Sequence, residues 1–186
     1  MPAYPELVTA VTTELTAALL SIDVEAVANL RRDILQARRI FVAGMGRSGL
    51  RMQAFAMRLM HLDRPAHVVG AVTTPAIGAG DLLLIGSGSG RTASLVSYAQ
   101  KASELNAQMT LITIASESPI GKYADSIVRI AAASPKIAAA GTESIQPMGS
   151  LFEQALGLLL DIVIIQLMDD LNVDANAMFS RHANLE

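Results

Sequence analysis

The amino-acid sequence predicts an α/β protein with a doubly wound, five-stranded parallel sheet of the flavodoxin or Rossmann type, flanked by helices. After residue 38, short segments with strand character alternate with helical patterns five times. These segments are continuously apolar, which fits strands of a parallel sheet covered on both faces. Two of them run into Gly/Ser-rich turns that open onto helices. The 186 residues suit one domain: N-terminal helices (1–37), an α/β core (38–171), and a C-terminal helix and tail (172–186).

The elements follow from local patterns. Apolar residues at helical spacing predict a helix over residues 6–20, and Ser21 or Asp23 can cap a second helix that runs to about Ala37. The predicted strands cover residues 40–43, 66–69, 82–85, 109–114 and 126–130. Helices are predicted over residues 48–62 and 92–105, with a short helical piece after Pro119.

The C-terminal third departs from this alternation. Residues 131–147 are rich in small residues and have no periodicity, which predicts a loop over the functional site. Residues 150–171 form a helix so apolar on all sides that we expect it in the core or in a subunit interface. A last short helix is predicted over residues 174–181.

The two glycine-rich turns are the strongest functional feature. The first is Gly44-Met45-Gly46-Arg47-Ser48-Gly49, and the second is Gly86-Ser87-Gly88-Ser89-Gly90-Arg91-Thr92. Backbone N–H groups at a helix start, together with the helix dipole, favour a phosphate, and the hydroxyl groups add donors. Glycines that only make tight turns are the alternative for either loop. Because both loops lie at the carboxyl edge of the sheet, we expect one shared phosphate site.

The first turn also satisfies the G-x-G-x-x-G pattern of dinucleotide-binding proteins. That function needs an acidic residue about 20 positions further on, at the end of the second strand, to hold the ribose. Asp63 has nearly this spacing but lies before Pro65 and the strand, at a helix end. A nicotinamide dinucleotide is therefore not favoured, and it would leave the second loop unexplained.

Composition excludes several classes of function. A net charge of -3 and the absence of Trp argue against nucleic-acid binding. Without cysteine there are no disulfides, thiolate catalysts or iron–sulfur clusters, and the three histidines have no metal-ligand spacing, so we expect neither metal nor cofactor.

The same composition bears on location and assembly. The N-terminus lacks a signal peptide, and the longest apolar stretch, residues 155–168, is broken by Asp161 and Gln166 and is shorter than the ~20 residues of a membrane span. We therefore expect a cytoplasmic protein that does not associate with membranes. With 52% hydrophobic and 17% charged residues, we also expect an oligomer.

The paired loops resemble the sugar isomerase (SIS) family of phosphosugar-binding domains, over residues 37–171. Within that family, several stretches are similar to the 6-phospho-3-hexuloisomerases of the ribulose monophosphate pathway. These stretches are residues 46–49, 55–62, 87–92, 147–153 and 181–185. Other SIS isomerases usually carry Glu after the Ser-Gly of the second loop, where this sequence has Gly90-Arg91-Thr92.

The resemblance implies reversible isomerisation of D-arabino-3-hexulose 6-phosphate to D-fructose 6-phosphate through a cis-enediol(ate), in formaldehyde fixation. It also implies a homotetramer, and hexulose-6-phosphate synthase as a functional partner. Two alternatives stay open. One is another SIS aldose–ketose isomerase, such as one acting on arabinose 5-phosphate, and the other is a non-catalytic phosphosugar-binding regulator.

Moving a carbonyl by one carbon needs a base that removes and returns a carbon-bound proton. Glu153 is the candidate, since a carboxylate in the first turn of an apolar helix is rarely useful to a core; a capping box with Ser150 is the alternative.

His182 is the favoured acid because, in the resembling family, this tail reaches a neighbouring subunit's site; an exposed tail histidine is the alternative. His61 suits a helix C-terminus but can act from an adjacent subunit, and His67 is assigned no role.

The phosphate ligands are predicted from the two loops. Ser48, Ser87, Ser89 and Thr92, with the N–H groups of loop glycines such as Gly46 and Gly88, would hold the phosphate. Arg47 would pair with the phosphate or with a sugar oxygen. An arginine in the first turn of a helix, such as Arg91, is as often solvated as directed into a site. Met57 and Arg58 are expected to pack or to form an interface.

Overall fold

A computed structural model describes residues 2–133 and 143–185, and its centre is a five-stranded, fully parallel sheet. The strands are β1 (Ile40–Gly44), β2 (Ala66–Val68), β3 (Leu82–Gly86), β4 (Gln108–Thr113) and β5 (Ser126–Arg129). Their spatial order is β2-β1-β3-β4-β5, so the direction of winding reverses between β1 and β3. The predicted doubly wound sheet is confirmed, and ligands of such sheets bind beyond the strand ends at this reversal.

Six helices and one short 3-10 helix occur in the described residues. The helices are α1 (Tyr4–Leu20), α2 (Val24–Gln36), α3 (Gly46–His61), α4 (Ala93–Glu104), α5 (Ser150–Leu171) and α6 (Ala175–Phe179), and the 3-10 helix covers Gly121–Tyr123. The predicted ends of α5 are confirmed. Helix α3 starts two residues earlier than predicted, inside the glycine turn. Helix α6 is shorter than predicted at both ends, with Asp174 as its N-cap and Ser180 as its C-cap.

The strand side chains alternate between two apolar clusters. Ile40 and Val42 point to the face covered by α2, α3 and α5, whereas Phe41 and Ala43 point to the face covered by α4. Burial of both faces explains why the strands read as continuous apolar runs rather than as alternating ones.

Helix α5 is long and apolar enough to cross a membrane, but half of its most apolar window is buried in this fold. It packs against α3, α1 and α2, as the core helix of a globular protein does. The bent pair of α1 and α2 also reaches the length and composition of a span.

Leu158, Ile162 and Ile165 of α5 remain exposed. This exposed row fits the prediction that α5 also contributes to an interface.

The segment before α5 is only partly within the described residues. Residues 134–142 of the predicted loop lie outside them. Residues 143–149 contain no helix or strand and lead directly into the first turn of α5. Met148 and Gly149 reach the loop ends of the sheet, where the candidate site lies.

Candidate active site

The two glycine turns leave the sheet side by side. Gly44 of β1 is the parallel partner of Gly86 of β3, so both loops start at the same level of the sheet. The backbones approach closely: a Cβ atom on Gly49 would lie 2.6 Å from the carbonyl oxygen of Gly44. Glycine at position 49 thus lets the start of α3 pack directly on the end of β1.

A cavity of about 380 Å3 opens between these loops and the start of α5. Its floor is apolar, made by Leu95, Ile114 and Phe152. Its other walls come from the first loop, the second loop, residues 148–149 and the first turn of α5. They comprise Met45, Gly46, Arg47, Ser48, Gly86, Ser87, Gly88, Ser89, Thr92, Met148, Gly149 and Glu153.

The second loop is held rigidly at the cavity. Ser87 donates its N–H to the carbonyl oxygen of Ile112 at 3.0 Å, and Ile114 donates to Gly88 at 3.1 Å. The buried hydroxyl of Thr113 also donates to the carbonyl oxygen of Gly88, at 3.1 Å. These bonds fix the loop to the end of β4, so its hydroxyl groups are positioned before any ligand arrives.

The predicted phosphate ligands converge on this cavity. Ser48 and Ser87 are almost fully buried yet line the cavity, while Ser89 and Thr92 stand at its half-exposed rim. The first N–H groups of α3 and α4 have no acceptor within their own helices. The site therefore offers several hydrogen-bond donors and a favourable helix dipole to one anion.

Glu153 lies on the opposite wall and is paired with Arg47. The Nε atom of Arg47 donates to Oε2 of Glu153 at 2.5 Å, and the carboxylate side chain is 18% exposed. The capping-box alternative for Glu153 is wrong: the helix is capped at Gly149, so Ser150 is already its first residue. The carboxylate instead lines the cavity from the first turn of α5, where it meets Arg47 of the first loop.

The two histidines predicted to be catalytic lie together, but far from this cavity. His61 ends α3, fifteen residues after Gly46, which is about 22 Å along the helix axis. The ring of His182 stacks on that of His61 with centroids 5.5 Å apart. Burial, with smaller contributions from Arg58 and His182, lowers the pKa of His61 below the usual value for histidine. Neither ring reaches Glu153 of its own chain.

The remaining sequence candidates lie outside the cavity. Arg91 is exposed and its N–H donates to the hydroxyl of Ser89 at 3.4 Å. Arg58 approaches Nδ1 of His61 at 3.4 Å, and Met57 is 45% exposed on α3. His67 packs its ring on Phe41, as suits a residue without a catalytic role.

Sequence reasoning missed the apolar floor and one polar contact. Phe152 and Met148 fall in a stretch already singled out by resemblance, which was the available signal for them. Glu14 of α1 accepts a hydrogen bond from Ser144, in the segment that precedes α5. No local sequence pattern predicts a contact between residues 130 positions apart. Within residues 2–133 and 143–185, the structure shows no group of three or more His, Asp or Glu side chains placed to hold a metal ion.

Comparisons with known proteins show the family of this chain. The SIS domain family matches residues 33–158. Curated 3-hexulose-6-phosphate isomerases from Bacillus subtilis and Mycobacterium gastri are similar over most of the chain. The first is 48% identical, covering 97% of this chain and 98% of the relative, and the second is 47% identical, covering 89% and 82%.

A solved structure from Methanococcus jannaschii, whose molecular function was inferred as 3-hexulose-6-phosphate isomerase, is also similar. It superposes with a TM-score of 0.85 at 32% identity, over 97% of this chain and 99% of that one. The family match covers the sheet, both glycine turns and Glu153. The chain therefore belongs to the SIS domain family and, within it, to the group of 3-hexulose-6-phosphate isomerases.

Proposed function

We propose that the protein interconverts D-arabino-3-hexulose 6-phosphate and D-fructose 6-phosphate, an activity also called 6-phospho-3-hexuloisomerase. One observation carries the proposal: two donor-rich loops and one carboxylate face each other across a single cavity of about 380 Å3. The identity of 48% to a curated 3-hexulose-6-phosphate isomerase supports the same substrate.

In this reaction the loops hold the phosphate and Glu153 moves the proton. The carboxylate removes the hydrogen from C2, and the electron pair of that bond forms the C2=C3 double bond of a cis-enediolate. The former C3 carbonyl oxygen takes a proton, and the hydroxyl on C2 loses one. Glu153 then returns its proton to C3, which leaves the carbonyl at C2. One base over both carbons suffices because the two sites are adjacent.

The proton on oxygen needs a second group, for which we propose His182, with His61 behind it, from a neighbouring subunit. An imidazole has two ring nitrogens, one of which can donate a hydrogen bond while the other accepts one. In its own chain the pair lies about 22 Å from the loops, so a shared site requires an oligomer.

A homotetramer supplies such a neighbour. Apolar side chains are exposed along α3 and α5, including Leu50, Met57, Ile162 and Ile165. Exposed apolar side chains on neighbouring helices favour association between subunits. In the cytoplasm the enzyme would take its substrate from hexulose-6-phosphate synthase.

The test is a coupled assay that follows fructose 6-phosphate formation from hexulose 6-phosphate, with and without a chelator. We expect product in both cases. Arabinose 5-phosphate serves as the competing substrate. Turnover of arabinose 5-phosphate alone, or binding of phosphosugars without turnover, would contradict the proposed activity.

A further inference from the structure

Glu14 ties the N-terminal helix to the segment that leads into the cavity. Its carboxylate accepts three hydrogen bonds from residues 144–146, which lie 130 positions or more along the chain. The donors are the hydroxyl of Ser144 at 2.7 Å, the N–H of Ile145 at 2.8 Å and the side-chain amide of Gln146 at 2.9 Å. Three donors converging on one half-buried side chain specify a carboxylate rather than an amide.

Gln146 extends this contact to the helix that carries the candidate base. Its Nε2 donates to Glu14, and its Oε1 accepts from Nε2 of Gln154 at 2.6 Å. Gln154 follows Glu153 directly, at the end of the first turn of α5. A continuous chain of hydrogen bonds thus joins α1 to the turn that aims the carboxylate of Glu153.

We call the contact of Glu14 with residues 144–146 the tether. The residues between the tether and Glu153 need their backbone conformation to be held in place. Met148 has φ of 60°, a conformation uncommon for a side chain of its size, and it lines the cavity together with Gly149. Backbone in a sparsely populated region persists only where its surroundings hold it. Only Pro147 separates the tethered Gln146 from Met148.

We propose that Glu14 is a positioning residue for the isomerisation: it anchors residues 144–146 so that the cavity wall and the carboxylate of Glu153 keep their reactive geometry. This role rests on the proposed function. Glu14 does not contact the cavity, so it acts through Gln146 and Gln154. Misplacement by about 1 Å at a reacting group is enough to cost about 100-fold in rate.

The variant Glu14→Gln tests the role, because its amide offers one acceptor to three donors. We expect kcat to fall about 10- to 100-fold. The KM should stay within about twofold, since the phosphate loops are untouched. Hydrogen exchange at the Ile145 amide should become faster. Glu6→Gln removes the same charge from the same helix far from the tether and is the matched control.

A second variant separates positioning from a loss of folding. Glu14→Gln combined with Gln146→Glu exchanges the amide and the carboxylate across the same contact, and it should recover most of the lost kcat. Unchanged kcat in Glu14→Gln, or a rise in KM equal to the loss of kcat, would overturn the positioning role. If the wild-type protein fails to isomerise the hexulose phosphate, the proposed function fails. The tether is then judged by exchange alone, and unchanged exchange at Ile145 overturns it.

Discussion

Arg47 and Glu153 bring opposite charges together on two walls of the cavity. Their contact joins the start of α3 to the start of α5, over 106 positions in the chain. A guanidinium carries five donors in a planar fork, so Arg47 can keep one on Glu153 and present others to a phosphate or a sugar oxygen. This side chain therefore links the binding loops to the group proposed to move the proton.

The first residue to change is Glu153. Glu153→Gln keeps the size of the side chain but removes its basicity, so kcat should fall by about 1,000-fold with little change in KM. Fructose 6-phosphate formation measures this, and circular dichroism checks the fold. Glu25→Gln on α2 is the matched control. Near-normal turnover by a folded Glu153→Gln protein would show that another group is the base.

The hydroxyl groups of the second loop should act mainly on binding. Ser87→Ala with Ser89→Ala removes two donors from the phosphate site, and each lost hydrogen bond to a charged group contributes about 1.5–3 kcal/mol. We expect KM to rise at least tenfold, with a smaller change in kcat. Ser97→Ala on the exposed side of α4 is the control. An unchanged KM would place the phosphate elsewhere.

Among the elements, β3 is anchored by a buried carboxylate at the end remote from the cavity. Asp81 precedes the strand and has a fully buried side chain. It accepts hydrogen bonds from Arg38 at 3.0 Å, from Arg39 at 2.7 Å and from the N–H of Gly78 at 3.0 Å. Burial alone would raise the pKa of Asp81, but these hydrogen bonds outweigh it and hold the pKa far below the usual value.

This shift predicts a pH-dependent stability. Because the folded-state pKa lies below the unfolded value of about 3.9, the contribution of Asp81 is complete above that pH and is lost as the pH falls below it. Asp81→Asn should lower the free energy of unfolding by about 3 kcal/mol at pH 7, and its deficit should shrink below about pH 4. Urea titrations at several pH values measure this, with the exposed Asp63→Asn as control. A deficit that is independent of pH would contradict the assignment.

At the scale of the whole molecule, the groups proposed for catalysis are divided between the two ends of α3. Glu153 and the loops lie at one end, and His61 and His182 lie at the other. The proposed site therefore requires two subunits. Equal amounts of Glu153→Gln and His182→Ala protein, each nearly inactive, should recover about a quarter of wild-type activity after subunit exchange, because random assortment pairs intact groups in that fraction.

Two outcomes would contradict the shared site. One is a His182→Ala protein with wild-type activity, and the other is a mixture that stays inactive although mass measurements show mixed oligomers. Either result would move the acid to a group within one subunit.

The sequence predicted much of this arrangement because the relevant signals are local. Continuous apolar runs located the strands, and the glycine turns located the loops at the strand ends. Boundaries shifted where a turn residue was itself helical: Gly46 begins α3 although the pattern suggested Ser48. The spacing of Ser150 and Glu153 also fits a capping box, but capping depends on which residue precedes the helix, and that residue is Gly149.

By itself, the sequence determined the parallel sheet and the twin glycine loops, because periodicity and turn chemistry act over a few residues. The candidacy of Glu153 came from its place in the first turn of an apolar helix together with the family resemblance. Only the tertiary structure decided which groups meet. It placed Arg47 on Glu153, connected Glu14 to residues 144–146, and put His61 and His182 at the end of α3 opposite the cavity. Such contacts join residues more than 100 positions apart, and they follow from how helices pack on the sheet rather than from any local pattern.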